Sequence, residues 1–328
     1  MNQQGLVSVI ITTYNYGKFL KLSLQSVFAQ TFPESNREVI VIDDGSTDNT
    51  RQIVSDWKDK IHYLYQENSG QAAAINRAVE IAKGEILAFL DPDDEWYPEK
   101  LTRVVAEFEN PEVGMVQHPM NIVENGRKLR AVLGKELSSG RMGEKVLTSQ
   151  FRRMPTSALT IRKSVLQKIE PLPVVFRTAA DLPLAIFSAL MTTIRVINIP
   201  MGFYRIHESN SYADNTSVES LNEQLRMLEE IFRRTKSFTE THGIILETGS
   251  ERYLQAEYPT SCRIDLAWRQ NRILDLPNLY WQYLYQYAVP EYGFSLQMLG
   301  RSLRMGAQTL LPPTLFSAVR NLMRRTTF

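Results

Sequence analysis

The chain has 328 residues, 43% hydrophobic and 22% charged, with a formal net charge of +1. It is long enough to bury a full core plus an appendage, and no global field draws it toward nucleic acid. A single cysteine, Cys262, excludes an internal disulfide framework, and four histidines without paired cysteines argue against structural zinc, which leaves oxygen-rich ligands for any metal. The first fifteen residues lack the basic, apolar and cleavage regions of a secretory signal. No stretch approaches the ~18 apolar residues of a membrane span, so a cytoplasmic protein is expected.

From residue 6 to residue 90, short β-branched runs alternate with helical patterns: VSVIIT, LKLSLQSVFAQ, EVIVID, TRQIVSDW, HYLYQ, AAAINRAVEIA and EILAFLD. This rhythm predicts an α/β fold with a mostly parallel sheet flanked by helices, and strands this uniformly apolar suit burial on both faces. Polar side chains gather just after three strands, at 12–15, 43–47 and 91–95, where open α/β sheets bind ligands. From Val113 to about Tyr212 the pattern is mixed. Strands are expected at VGMVQ, SALTI, TIRVINI and GFYRI, extending the sheet, with one helix from about Leu182. Beyond Asn215 the β signals stop and long amphipathic patterns follow, predicting a domain over 1–214 and a helical C-terminal region over 215–328.

The strand EILAFL runs into Asp91, Pro92, Asp93, Asp94 and Glu95, four carboxylates in five positions. Such a cluster repels itself unless a cation neutralises it. Mg²⁺ or Mn²⁺ accepts carboxylate oxygens and keeps positions for substrate phosphates, so the cluster suits a metal bound to a diphosphate. The structural alternative is that Asp93 and Asp94 cap a helix starting near Pro98.

Three segments occur in order: VSVIITTYNYGKFL with SLQSVFAQT, VIVIDDGSTDNT, and ENSGQAAAINRAVEIAKGEILAFLDPDDEWYPEKL. Together they resemble the nucleotide-binding half of family 2 glycosyltransferases with the GT-A fold. A weaker likeness continues through TSALTIRKSVLQKIEPL, AADLPLAIFSAL and MGFYRIHESNS to about residue 212. The resemblance implies a metal-dependent glycosyltransferase of the EC 2.4 type, using Mn²⁺ or Mg²⁺. It would move one sugar, with inversion, from a nucleoside diphosphate sugar, UDP-sugars first, to a glycan or lipid-linked acceptor, and would bind no nucleic acid. The Gln-X-X-Arg-Trp motif and spanning helices of processive synthases do not occur, which favours single transfers. A sugar nucleotidyltransferase would call for a glycine-rich basic loop where TTYNYG stands, and an inactive nucleotide-sugar or glycan binding module would have little use for Asp91, Asp93 and Asp181.

The resemblance also assigns roles. Thr12, Tyr14 and Asp44 would hold base and ribose, Asn68 and Gly70 would line the donor cleft, and Asp91 would sit near the ribose and metal. Asp93 would be the direct metal ligand, His207 would reach metal or diphosphate from a loop, and Arg205 would offset diphosphate charge. Asp181, in TAADLPLAIF, would be the catalytic base; Ala180 departs from the glutamate frequent there. Each has a structural alternative: turn chemistry for Asp43 and Asp44, a helix cap for Asp181 before Pro183, and an ordinary structural role for His207. Lys83 and Gly84 read as a helix terminus and cap. From residue 292 to 328 there is no acidic residue, while Arg301, Arg304, Arg320, Arg324 and Arg325 are interleaved with Leu, Met and Phe. Two readings stay open for this segment: peripheral contact with the inner face of the membrane, or packing on protein.

Overall fold

The computed structural model describes residues 5–124, 126–133, 137–143, 146, 151–169, 171–207, 217–243, 262–272, 275, 276, 278 and 279. The chain divides into two compact units, Met1–Ser211 and Tyr212–Phe328.

In the first unit, β1 (Val7–Thr13), α1 (Gly17–Phe28), β2 (Arg37–Asp43), α2 (Thr50–Ser55), β3 (His62–Tyr65), α3 (Gln71–Ile81) and β4 (Ile86–Leu90) follow the expected alternation. Next come β5 (Glu95–Trp96), α4 (Lys100–Glu107), β6 (Val113–Gln117), β7 (Met120–Glu124) and β8 (Arg127–Leu133). They are followed by β9 (Leu159–Arg162), α5 (Lys163–Leu166), α6 (Asp181–Met191), β10 (Thr193–Val196) and β11 (Gly202–Ile206). Seven strands form one sheet in the order β10-β6-β9-β4-β1-β2-β3. Only β9 runs against its neighbours, so the sheet is mostly parallel. Every residue of β1, β4 and β6 is buried. On one face Val9, Ile11, Val41 and Ala88 meet Leu20, Leu24 and Val27 of α1; α3 lies against β1 and β2. Full burial of each such side chain stabilises by about 1.5–3 kcal/mol, and this is what holds the strand ends rigid enough to carry a site.

The second half departs from expectation in one respect. The strand over GFYRI, β11, leaves the main sheet and joins a four-stranded one of order β5-β11-β7-β8. Its neighbour β7 forms with β8 an antiparallel hairpin that hydropathy does not announce. The physical reason is exposure: β7 is only partly buried, so Asn121 and Glu124 occupy strand positions and read as loop.

In the second unit, α7 (Val218–Thr241) is capped by Ser217, whose hydroxyl accepts the Ser220 N–H at 3.1 Å. A further helix, α8, covers residues 262–269. Ile264, Ala267 and Leu276 form a small buried cluster with Trp268 and Leu279 against it. Among the described residues no helix is long and apolar enough to cross a membrane. The basic segment 292–328 lies outside the described residues.

Candidate active site

The loops after β1 and β2 are stitched together at the carboxyl edge of the sheet. Asn15, at φ +58°, presents its side-chain oxygen to the N–H groups of Thr47 and Asp48 at 2.8 and 3.3 Å. Asp48 in turn accepts the Gly17 N–H at 2.9 Å, at the start of α1. Thr12 is buried in β1, and Tyr14, just past its end, is 46% exposed. The two aspartates of DDGSTD divide their work. Asp43 accepts from the Ser46 N–H and the Tyr63 hydroxyl, both at 2.8 Å, which is turn chemistry. Asp44 shapes the next loop: its carboxylate accepts Gln66 Nε2 at 2.7 Å and the N–H groups of Ser69 and Gly70 at 2.9 and 2.8 Å. Its carbonyl takes Asn68 Nδ2 at 3.0 Å. The structure thus gathers Asp44, Asn68 and Gly70 into one network. Gly70 needs to be glycine, because its φ is +93° and a Cβ there would sit 2.6 Å from Arg177 Cα.

The acidic turn after β4 is the most crowded part of the site. The Ser23 hydroxyl of α1 lies 2.9 and 2.6 Å from the carbonyls of Pro92 and Asp94, fixing the turn from below. Asp91, partly accessible, donates its N–H to Ser157 Oγ at 2.9 Å, and that hydroxyl donates back to the Asp91 carboxylate at 3.2 Å. Asp94 is buried; one carboxylate oxygen accepts the Arg205 N–H at 2.9 Å and the other has no hydrogen bond. Arg205 Nε donates to the Asp93 carbonyl at 2.9 Å, and its guanidinium pairs with Glu95. His207 Nε2 lies 3.1 Å from the Asp93 carboxylate, its ring stacked on Phe19 at 4.4 Å between centroids. Neither aspartate caps α4, which starts at Lys100 after an N-cap at Glu99 without a side-chain bond.

The electrostatics show how closely these acids approach. Burial, then Asp93 and Asp181, pushes Asp91 up to about 8. Burial also raises Asp93, with His207 opposing it, and lifts Asp94 well above the carboxylate range, with Asp93 and Asp91 adding to the shift. Tyr204 of β11 is raised by burial and by the same group of carboxylates, including Asp181. Asp181 therefore stands within electrostatic reach of the turn. It is the first residue of α6, with Ala180 at the N-cap and no side-chain cap, and its carboxylate pairs instead with Arg153.

Asp91, Asp93, Arg205 and His207 come together as one cluster with Asp181 facing it, Asp44, Asn68 and Gly70 as a second network, and Thr12 and Tyr14 at the end of β1. Arg153, Ser157, Tyr204 and Gln71 also belong to the site and were missed in the sequence. Only Tyr204 carried a signal, standing directly before Arg205 in the Tyr-Arg-X-His run. Among the described residues no three His, Cys, Asp or Glu are arranged to hold a metal by themselves. The donor set nevertheless fits a hard divalent cation, since Mg²⁺ and Mn²⁺ commonly take one or two protein ligands and complete their shell with phosphate oxygens. Asp93 and His207 lie side by side there, Nε2 3.1 Å from the carboxylate.

A largely parallel sheet ending in a carboxylate turn, with a small second sheet closing over it, defines the GT-A class of glycosyltransferases. The family model for glycosyl transferase family 2 matches residues 8–170. Over 223 residues the chain is 36% identical to an uncharacterized glycosyltransferase of Nostoc sp., an alignment covering 65% of this chain and 69% of that protein. The chain belongs to glycosyl transferase family 2. Solved structures agree on the fold. Staphylococcus aureus TarS superposes with a TM-score of 0.60 at 23% identity, over 87% of this chain and 49% of TarS. The chain thus spans about half of TarS; a 1–349 fragment of TarS in complex with UDP-GlcNAc gives 0.53 at 20%, over 80% of each chain. The mannosyltransferase PcManGT of Pyrobaculum calidifontis, in complex with GDP-Man and Mn²⁺, gives 0.51 at 17%, over 98% of this chain and 88% of that one.

Proposed function

We propose that this protein is an inverting glycosyltransferase that moves a single sugar from a nucleoside diphosphate sugar, UDP-sugars first, to a hydroxyl of a glycan or lipid-linked acceptor. The observation that carries this reading is the convergence of Asp181, on its own helix, with the carboxylate turn 91–95. Binding of UDP-GlcNAc by TarS and of GDP-Man with Mn²⁺ by PcManGT supports the donor class and the metal. Thr12, Tyr14 and the Asp44 network with Asn68 and Gly70 would receive base and ribose, with Asp91 beside the ribose. Asp93 and His207 would hold Mn²⁺ or Mg²⁺, and Arg205 would offset diphosphate charge. A divalent cation bound there supplies electrostatic stabilisation of the leaving diphosphate. Asp181 takes the proton of the acceptor hydroxyl as that oxygen bonds to the anomeric carbon from the face opposite the breaking bond to the diphosphate. In this reading residues 1–214 perform the transfer at the cytoplasmic side, and 215–328 form a helical appendage.

The test is donor turnover by purified protein across UDP-, GDP- and dTDP-sugars. We expect hydrolysis or transfer with a UDP-sugar, lost on chelation and restored by Mn²⁺. Asp181→Asn keeps the shape but cannot take the proton, and should lower turnover by ~10²-fold or more with little change in donor affinity. Tight nucleotide-sugar binding without turnover would make the protein a binding module instead.

A further inference from the structure

The segment that delivers Asp181 is backbone under constraint. Ala179 has φ +56°, a left-handed conformation that alanine rarely adopts and that persists only where the surroundings hold it. What holds it comes from the donor side. Gln71, the first residue of α3, accepts the Ala180 N–H on Oε1 at 3.0 Å, and its Nε2 donates to Asp91 Oδ1 at 3.3 Å. The amide orientation follows from chemistry, since an N–H must meet the oxygen and a carboxylate must meet the NH₂. The backbone reinforces the junction: the N–H groups of Gln71 and Ala72 donate to the carbonyls of Arg177 and Phe176 at 2.9 and 3.0 Å. These are N–H groups that a helix start leaves without partners inside the helix. Gln71 is thus bonded to the carboxylate of the acidic turn on one side and to the residue preceding Asp181 on the other.

We propose that Gln71 is a positioning residue that ties Asp91 to the start of α6, so that the proton acceptor Asp181 keeps a fixed separation from the donor side of the site. The inference rests on the reading of Asp181 as the base. An inverting displacement needs base, attacking oxygen and anomeric carbon in register, and a misplacement of about 1 Å can cost ~10²-fold in rate. Gln71 need not touch either substrate to matter, because it acts through Asp181.

Gln71→Met keeps the length and loses both hydrogen bonds; Gln71→Asn keeps the amide but is one methylene too short to span both partners. Each is compared with the wild-type protein for hydrolysis of the nucleotide sugar selected by the panel, with water as acceptor. UDP affinity with Mn²⁺ and the melting temperature are followed in parallel, so that a variant that folds poorly is recognised and the other decides. We expect kcat to fall by ~10-fold or more in both, with donor KM and UDP affinity nearly unchanged. In an Asp181→Asn background the same substitutions should cost less than about twofold, because residues that act as one unit are not additive. An equal loss in both backgrounds, a raised KM with kcat intact, or no effect at all would overturn the positioning role while leaving the base reading in place. Near-normal turnover of Asp181→Asn alone would overturn the base reading and this inference with it.

Discussion

The two sides of the site are built by different means. On the donor side, each loop follows its own strand and is held by neighbouring loops of the same kind: Asn15 on Thr47, Asp48 on Gly17, Asp44 on Gly70. On the base side, the segments 151–157 and 171–181 hang from side-chain amides on rigid elements. Gln117 of β6 accepts the Met154 N–H at 3.1 Å and donates to the carbonyls of Ser138 and Arg152 at 2.8 and 3.2 Å. Asn76 of α3 exchanges two bonds with Leu172, at 2.9 and 2.8 Å, and Gln71 of α3 takes Ala180. Loops that brace one another depend on residues along the same edge of the sheet, whereas a hung segment depends on amides of the scaffold. Damage to the scaffold amides should therefore fall on the base side and spare nucleotide binding.

The sharpest break within the donor side is Asp93→Ala, which should abolish metal-dependent binding of UDP in calorimetry with Mn²⁺. The melting temperature should hold, because one member of a self-repelling carboxylate group is removed. Unchanged affinity would remove Asp93 from the metal role. Gly70→Ala strikes the junction of the two sides. The new methyl would meet Arg177 Cα, a backbone atom, at a φ of +93°, so a loss of about 1–3 kcal/mol in stability is expected in denaturant unfolding. A wild-type unfolding midpoint would show that the junction has slack.

Gln117→Leu tests the hung side. The side chain is fully buried, and its loss removes the acceptor of the Met154 N–H and one hydrogen bond each from the carbonyls of Ser138 and Arg152, a cost of about 1–3 kcal/mol. Because Arg153 lies between Arg152 and Met154, donor turnover should fall while UDP affinity stays; loss of UDP binding would deny the independence of the two sides. The smallest effect at neutral pH concerns His118, just after β6. Burial, with Lys100 adding to it, pushes its imidazole down to about 3. Its Nδ1 meets the Pro119 carbonyl at 3.0 Å and its Nε2 has no partner. The folded value lies below the unfolded one of about 6.5, so the unfolded chain binds the extra proton first. The contribution is complete above pH ~6.5 and is lost as pH falls toward 3. Urea midpoints from pH 7 to 4 should fall more steeply for wild type than for His118→Leu, and parallel slopes would refute it.

Much of the donor side was legible because its signals are local. A fully buried strand must be apolar along its whole length, and the polar residues directly after it mark the ligand edge; β1, β2 and β4 could be read with their loops. The hairpin β7–β8 could not, because a half-exposed strand carrying Asn121, Glu124 and Lys128 has no pattern that separates it from a loop. GFYRI was recognisable as a strand, but nothing in its composition says which sheet it joins.

The sequence by itself determined the alternation of elements and the carboxylate turn, properties of short windows and their periods, while the family resemblance singled out Asp93, Asp181 and His207. Tertiary structure alone decided what those residues meet. Asp181 could have been a helix cap until Arg153, 28 positions earlier, was found on its carboxylate. Gln71 could have been any helix-start residue until Ala180, 109 positions away, was found on its amide. Hydrophobic period encodes which face of an element is buried, and short-range chemistry encodes its turns. Partners separated by a hundred residues are set by the order in which the strands pair, which no local window contains.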